Sequence, residues 1–448
     1  MRDKTAQTLR LLRAYESRNV TFIEPDGSWP IVWARAQGVH VWDAEGRKYL
    51  DLTAAFGVAA AGHANPRVVR AGQHQMARLL HAMGDVHPHE LKANLARELS
   101  RITFERWTAE QSKVQSPQSK VRPGAGKVIF CNSGFEAVEA ALKTAILATG
   151  KRDIVAFEGA YHGTGYGSLN ATHRGHFRAP FQSQLGEFGR FVPFPTRSAD
   201  LPPIEQRLRR LLRRARVGAV LVEPIQGRGG INLPPPSFLP LLRRLCDEQH
   251  ALLILDEIYT GFGRTGKWFA CEHNGVVPDL ICLGKALTGG FPLSACVGRA
   301  DLMDAAWPQT AGEAIHTSTF LGHPVGCAMA LAQIAEIRRR RLVERSARSG
   351  RVLLAELSKV QSPKSKVTCV ARGAGLMAGL ELRDADGAPA TALALDVIKA
   401  MLHRGCLLLP EGEHANVISF TPPLTVTPAQ LRNAVTVLGA VLGALTRP

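Results

Sequence analysis

Residues 252–257 read LLILDE and residues 280–285 read LICLGK, and the fold turns on these two stretches. Each is an apolar run that stops abruptly, the first at Asp256-Glu257 and the second at Gly284-Lys285. That is the pattern of strands buried on both faces of a parallel sheet. Two such strands deliver Asp256 and Lys285 to the same end of one sheet. A buried carboxylate and a buried ammonium are costly unless something holds them, so a ligand that needs both is the economical explanation. Pyridoxal phosphate (PLP) is such a ligand, since its aldehyde takes a lysine as a Schiff base and its ring nitrogen takes a carboxylate.

Outward from this pair, residues 61–330 alternate strand candidates (127–130, 153–157, 219–222) with amphipathic helix candidates (136–149, 238–250). The alternation predicts βαβ units and a mostly parallel sheet covered on both faces. Residues 1–60 read as a helix followed by short strands, with a hairpin signal at 43–46 (DAEG) between 39–42 and 48–51. Residues 331–448 begin with a long helix and then mix strands (375–382, 417–420) with helices. The expected class is therefore α/β, a large domain over 61–330 with a smaller α+β domain built from both chain ends. Residues 112–121 (SKVQSPQSKV) and 358–367 (SKVQSPKSKV) are identical at nine of ten positions. Polar and proline-bearing, with no core-forming residues expected, both read as surface loop insertions.

The 448 residues carry a net charge of +17, much of it in arginine runs such as 207–216 (RLRRLLRRAR) and 338–341. These arginines sit among leucines at helical spacing without interleaved aromatics, which favours a solvated helix face over a nucleic-acid patch. The eight cysteines form no CxxC, and neither a zinc ribbon nor a disulfide framework is expected. No signal-peptide core and no run of membrane-spanning length is present, so a cytoplasmic setting without membrane partners is expected. The pairs His87/His89 and His173/His176 lack a third ligand at a known spacing, and no metal is expected. Residues 261–266 (GFGRTG) match GxGxxG but lie deep in the chain with no helix opening inside them, a poor context for dinucleotide binding.

Residues 130–137 (FCNSGFEA) follow a strand and open a helix, where free N–H groups form an anion site. Together with YHG (161–163), VEPIQGRGG (222–230), LLILDEIYTGFGRTG (252–266), PDLICLGKALTGGFPLSA (278–295) and HTSTFLGHP (316–324), the chain resembles the class III aminotransferases over about residues 20–440. These are PLP enzymes of fold type I, and the family includes ornithine, acetylornithine and 4-aminobutyrate transaminases. The resemblance implies a homodimer that exchanges an amino group between an amino acid or ω-amine and a 2-oxo acid by a ping-pong mechanism. Racemisation, epimerisation or an aminomutase reaction is the alternative within the same family. It further implies that Lys285 forms the Schiff base and moves the proton, while Asp256 keeps the ring nitrogen protonated. Ser133, Gly134 and the backbone of Phe135 would hold the phosphate, and Thr319 would reach the phosphate in the neighbouring subunit. Tyr161 and Ile258 would sandwich the ring, with His162 and Glu223 among the cofactor contacts. Tyr259 stands where many members have a glutamine bonded to the phenolic oxygen, and its hydroxyl is expected to take that part.

Three positions depart from the family's substrate pattern. Thr164 stands where an arginine follows YHG, Ser419 replaces an arginine in the segment 416–420 (NVISF), and Arg228 replaces a glutamate that pairs with that second arginine. Glutamate has become arginine where its arginine partner has become serine. The expectation is that Arg228 is a fixed carboxylate clamp, since a guanidinium suits bidentate carboxylate recognition. The competing reading is an Arg228 salt-bridged to a nearby surface acid.

Overall fold

The central sheet has seven strands, which we number β1 (Gly126–Cys131), β2 (Asp153–Phe157), β3 (Gly189–Val192), β4 (Val217–Val222), β5 (Leu252–Asp256), β6 (Leu280–Leu283) and β7 (Ser294–Arg299). The structure is a computed structural model describing residues 3–26, 28–114, 124–214, 216–360 and 367–446. The strand order is β1-β7-β6-β5-β4-β2-β3, and only β7 runs against its neighbours. Strand β5 is central, paired through Leu255 to Ile281 of β6 and through Val222 of β4 to Leu255. Helices cover both faces, so β4 is buried at all six positions and reads as a continuous apolar run. The helix Gly134–Thr149 packs through Ala137, Ala140, Ala141 and Ala145, whose small side chains let it lie close to the sheet. The arginine-rich helix Leu201–Leu212 buries Ile204, Leu208 and Leu212 and turns Arg209 outward to Glu248 at 2.6 Å. It is a solvated face whose exposed ion pairs contribute about 0–1 kcal/mol each.

The N-terminal strands Trp33–Gln37, His40–Asp43 and Lys48–Asp51 form a sheet completed by Cys406–Leu407, so both chain ends share one element. A third sheet runs Thr368–Ala374, Met377–Arg383, Val417–Phe420 and Leu409–Glu411, all antiparallel. The division expected at 330/331 falls inside one helix, Pro324–Arg339. Most of each SKVQSP repeat lies outside the described residues. At the start of the second, Val360 is buried in the core, contrary to the expected absence of core-forming residues.

The glycine-rich loop after β5 serves as a clasp between sheets. Arg264, 1% exposed, donates from Nη1 to the carbonyls of Leu376 (2.9 Å) and Pro422 (2.6 Å), while Leu376 N donates to Arg264 O at 2.9 Å. Gly375, at φ +54°, seats its backbone so close that a Cβ would lie 2.3 Å from the carbonyl carbon of Thr265.

Candidate active site

Strands β1, β2, β4, β5 and β6 all point the same way, and their C-terminal ends converge, which is where open α/β sheets bind ligands. A cavity of about 240 Å³ opens there. Lys285, Asp256, Gly134, Phe135, Tyr161, His162, Thr164, Glu223, Arg228, Ile258 and Tyr259 line it, joined by Gly163. Of the residues read from the sequence, Ser133, Thr319 and Ser419 do not line it. A larger cavity of about 950 Å³ lies elsewhere, among Arg243, Asp247 and Arg299, and shares no residue with this chemistry.

At one wall, Ser133 caps the helix Gly134–Thr149. The Glu136 carboxylate accepts from Asn132 N (2.6 Å) and Ser133 N (2.9 Å), while the buried Ser133 Oγ has no hydrogen-bond partner among the described residues. A free hydroxyl beside a helix N-terminus is a cradle for an anion. The bulky Phe135 is accommodated because Gly163, at φ +109°, presents bare backbone to it; a Cβ there would lie 2.3 Å from that of Phe135.

The opposite wall is acidic. Asp256, 5% exposed, faces His162 Nδ1 at 2.8 Å from its Oδ2 and accepts from Ile258 N at 3.1 Å. Opposite a carboxylate, Nδ1 is the nitrogen that carries the proton. Glu223 accepts from Tyr161 N (3.0 Å) and Gly227 N (2.9 Å), tying the loops after β2 and β4 together. Burial pushes its carboxyl up to about 7, with the neighbouring Asp256 adding to the rise and His162 opposing it. The second acid of the pair, Glu257, points to the other side, where it accepts from Ala270 N and Cys271 N, each at 2.8 Å. Successive side chains of a strand alternate, and so the two acids have separate tasks.

Lys285 sits at φ +39°, a left-handed conformation that a non-glycine residue seldom adopts outside functional or turn positions. Burial pulls its ammonium below the usual lysine range, opposed by Asp256, Glu223 and Glu411 and assisted by Arg228. Its Nζ lies 4.6 Å above the Tyr259 ring. Tyr259 departs from expectation, for its hydroxyl pairs with Thr421 Oγ1 at 3.2 Å and its ring packs against Gly57 and Gly227. It is a floor under Lys285, its polar end turned to Thr421. Ile258 lies against Gly134 and Gly284 and lines the same cavity as Tyr161. An anion cradle, a buried lysine whose pKa burial lowers and a buried carboxylate lining one cavity fit PLP.

The residues read as substrate contacts divide. Thr164 is exposed and lines the cavity. Ser419 is a correction: it is buried, and its hydroxyl donates to the Leu409 carbonyl at 3.0 Å, because the register sets these two residues opposite each other. Thr319 is exposed and outside the cavity of its own chain. Arg228 lies with its guanidinium 5.7 Å over the Tyr161 ring and its Nε 3.6 Å from Glu411 Oε2. The acid expected at the surface is thus present but buried, at 2% exposed. Burial pushes Glu411 up to about 7 against the pull of Arg228, Lys285 and Arg174. Sequence reasoning missed Glu411; its only signal was an acid directly after the apolar run 406–409 (CLLL) and Pro410.

Residues 23–442 match the family model for class III aminotransferases. The chain belongs to that family. The acetylornithine aminotransferase of Methanosarcina mazei is 35% identical over 442 residues, covering 98% of this chain and 99% of that protein. The putrescine aminotransferase of Pectobacterium atrosepticum is 36% identical, covering 90% and 81%. Among solved structures, an ornithine aminotransferase from Toxoplasma gondii with PLP at its active site is similar at a TM-score of 0.80 and 28% identity, covering 98% and 94%. This class III aminotransferase is a PLP-dependent transaminase of fold type I, moving an amino group between a donor and a 2-oxo acid by a ping-pong mechanism. Relatives named as aminotransferases or transaminases favour transamination over racemisation, epimerisation or an aminomutase reaction. Among the described residues, no helix is long and apolar enough to cross a membrane.

Proposed function

We propose that the 240 Å³ cavity holds both cofactor and substrate, and that Arg228 binds the carboxylate of whichever substrate brings one. The observation that carries this reading is that, among the described residues, Arg228 is the only arginine lining the cavity, where it and Lys285 are the lysine or arginine cations. PLP supplies an aldehyde and an electron-withdrawing ring. Lys285 Nζ would hold the cofactor at its aldehyde and would be the base that moves a proton at the substrate's α carbon. Asp256, held by His162, keeps the ring nitrogen protonated, and Glu223 fixes the loop that carries Tyr161. Ser133 Oγ and the first-turn N–H groups at Gly134 and Phe135 take the phosphate.

In this reading the working unit is a cytoplasmic homodimer. Thr319 lies among exposed apolar side chains, Ile315 at 74% and Phe320 at 53%, with His81 against Phe320 and Met83 (54%) nearby in the chain. Such a surface suits burial by a second copy. All eight cysteines are free, as a reducing compartment requires. Sedimentation of the holoenzyme should give twice the chain mass; a monomer carrying full activity would count against Thr319's part.

Arg228→Ala is expected to raise KM for a carboxylate-bearing amine roughly 10- to 100-fold, the worth of a charged hydrogen-bonded pair at about 1.5–3 kcal/mol. An unchanged KM would sink the assignment.

A further inference from the structure

Four successive residues, Ala54, Ala55, Phe56 and Gly57, stand at φ of +47°, +50°, +61° and +81°. Residues with a Cβ visit the left-handed region singly and at a cost, so three in a row persist only where the surroundings impose them. Those surroundings can be named. Asp51, fully buried, accepts from Thr53 N at 2.8 Å and from Thr53 Oγ1 at 2.7 Å, and its other oxygen pairs with His63 Nε2 at 2.6 Å. Thr53 Oγ1 accepts from Ala55 N at 3.1 Å, and the Thr53 carbonyl accepts from Gly57 N at 2.9 Å, which closes the turn. None of these groups lines the 240 Å³ cavity.

The turn ends against Tyr259. A Cβ on Gly57 would lie 2.6 Å from Tyr259 Cε2, and Gly227 presents bare backbone to the opposite edge of the ring. The hydroxyl is held as well. Thr421 Oγ1 gives its one proton to the Thr53 carbonyl at 3.1 Å, so toward Tyr259, at 3.2 Å, it accepts and the phenol donates. Burial pushes that phenol up to about 12, so it keeps the proton it donates. Ring and hydroxyl are both fixed from the segment 51–57, and Lys285 Nζ lies 4.6 Å over the face of that ring.

We propose that the left-handed turn at 54–57, acting with Thr421, is a positioning element for Lys285, holding the Tyr259 ring as a rigid floor under the reacting amine. This rests on the reading of Lys285 as that amine. An aromatic face attracts the ammonium form and gives a flexible four-carbon side chain a surface to lie on. Asp256, Glu223 and Glu411 also favour the ammonium, and Arg228 opposes it. Those charges set how readily Lys285 holds its proton, whereas the ring sets where the nitrogen rests. The same arrangement accounts for Tyr259 itself, whose hydroxyl anchors the ring and is turned to Thr421.

The test is the isosteric Thr421→Val, which removes the acceptor for Tyr259 and keeps the volume, with retention of bound PLP as the check on folding. In the PLP-loaded enzyme, with 1,4-diaminobutane as donor and pyruvate as acceptor, kcat is expected to fall about tenfold, the scale of one cation–ring contact. KM for each probe should stay within about twofold of wild type, since the variant leaves Arg228 and Thr164 in place. Thr421→Ser keeps the hydroxyl and should restore the rate. Tyr259→Phe should match Thr421→Val, and the double variant should lose no more than either alone. A second readout needs no turnover. In enzyme freed of PLP, acetylation of Lys285 by acetic anhydride, read by mass on its peptide, should titrate at lower pH in Thr421→Val, because the ammonium loses the ring face. An unchanged kcat, an unshifted titration, a loss that falls on KM, or a Thr421→Ser as impaired as Thr421→Val each overturns the proposal. If Lys285→Ala abolishes turnover while Thr421→Val changes nothing, this proposal alone fails. If Lys285→Ala stays active, the reading of the amine fails and this one with it.

Discussion

Lys285→Ala is expected to lower kcat by at least about 10⁴-fold, the upper range of what one positioned proton-transfer group contributes. The residue does two things that no neighbour can take over. Among the described residues it is the only lysine lining the cavity, and its Nζ is held over the Tyr259 ring at 4.6 Å, with Asp256, Glu223 and Glu411 as nearby acids. Burial depresses its pKa, which raises the neutral fraction able to attack an aldehyde and to accept a proton. The variant should still bind PLP through the anion cradle at Ser133 but lose the absorbance of the lysine-bound cofactor. Added methylamine should restore part of the rate, because what is missing is an amine at that point. Activity within tenfold of wild type would remove Lys285 from its role.

Asp256→Ala ranks second, with an expected loss in kcat of roughly two to three and a half powers of ten. The figure comes from the cost of breaking a buried charged pair, about 3–5 kcal/mol, at 1.36 kcal/mol per tenfold. Asp256 is 5% exposed and faces His162, whose Nε2 is itself buried without a partner among the described residues. Removing the carboxylate leaves both His162 and the pyridine nitrogen unmatched in a dry site. Asp256→Asn keeps the shape without the charge and should lose nearly as much, which separates an electronic role from a packing one. Single-turnover rates for both variants decide this. A loss below about threefold in Asp256→Asn would mean that the charge is dispensable.

The strands flanking these residues were legible because a fully buried strand writes a continuous apolar run, as 217–222, 252–255 and 280–283 do. Asp256 and Lys285 followed, since an ionisable group at the end of such a run has few structural reasons to be there. Strand β7 was not legible: it lies inside a stretch rich in glycine and small residues, and its antiparallel pairing breaks the βαβ rhythm. Ser419 failed as a substrate residue because its direction depends on register, which a short strand does not announce, and its hydroxyl is taken by the Leu409 carbonyl. Glu411 went unread for the same reason. It is one strand away from the position where an arginine partner was sought, and nothing local distinguishes a buried acid there from an exposed one. Tyr259 lines the cavity, but packing between Gly57 and Gly227 turns its hydroxyl to Thr421, which no local sequence signal announces.

The Arg264 clasp has a consequence for how this enzyme can diverge. Arg228 is carried by the loop after β4, whereas Glu411 is carried by the third sheet, and the backbone bond from Gly412 N to Arg228 O joins the two, so the gap between the side chains depends on how that sheet is seated against that loop. The guanidinium of Arg264, gripping Leu376 and Pro422 from the loop that follows Asp256, helps hold that sheet in its seat. A change as small as Arg264→Lys, which keeps the charge but gives up the planar fork, would re-space the substrate pocket without altering a single group inside it. Substrate range in this chain is thus exposed to drift from a residue that no substrate ever touches.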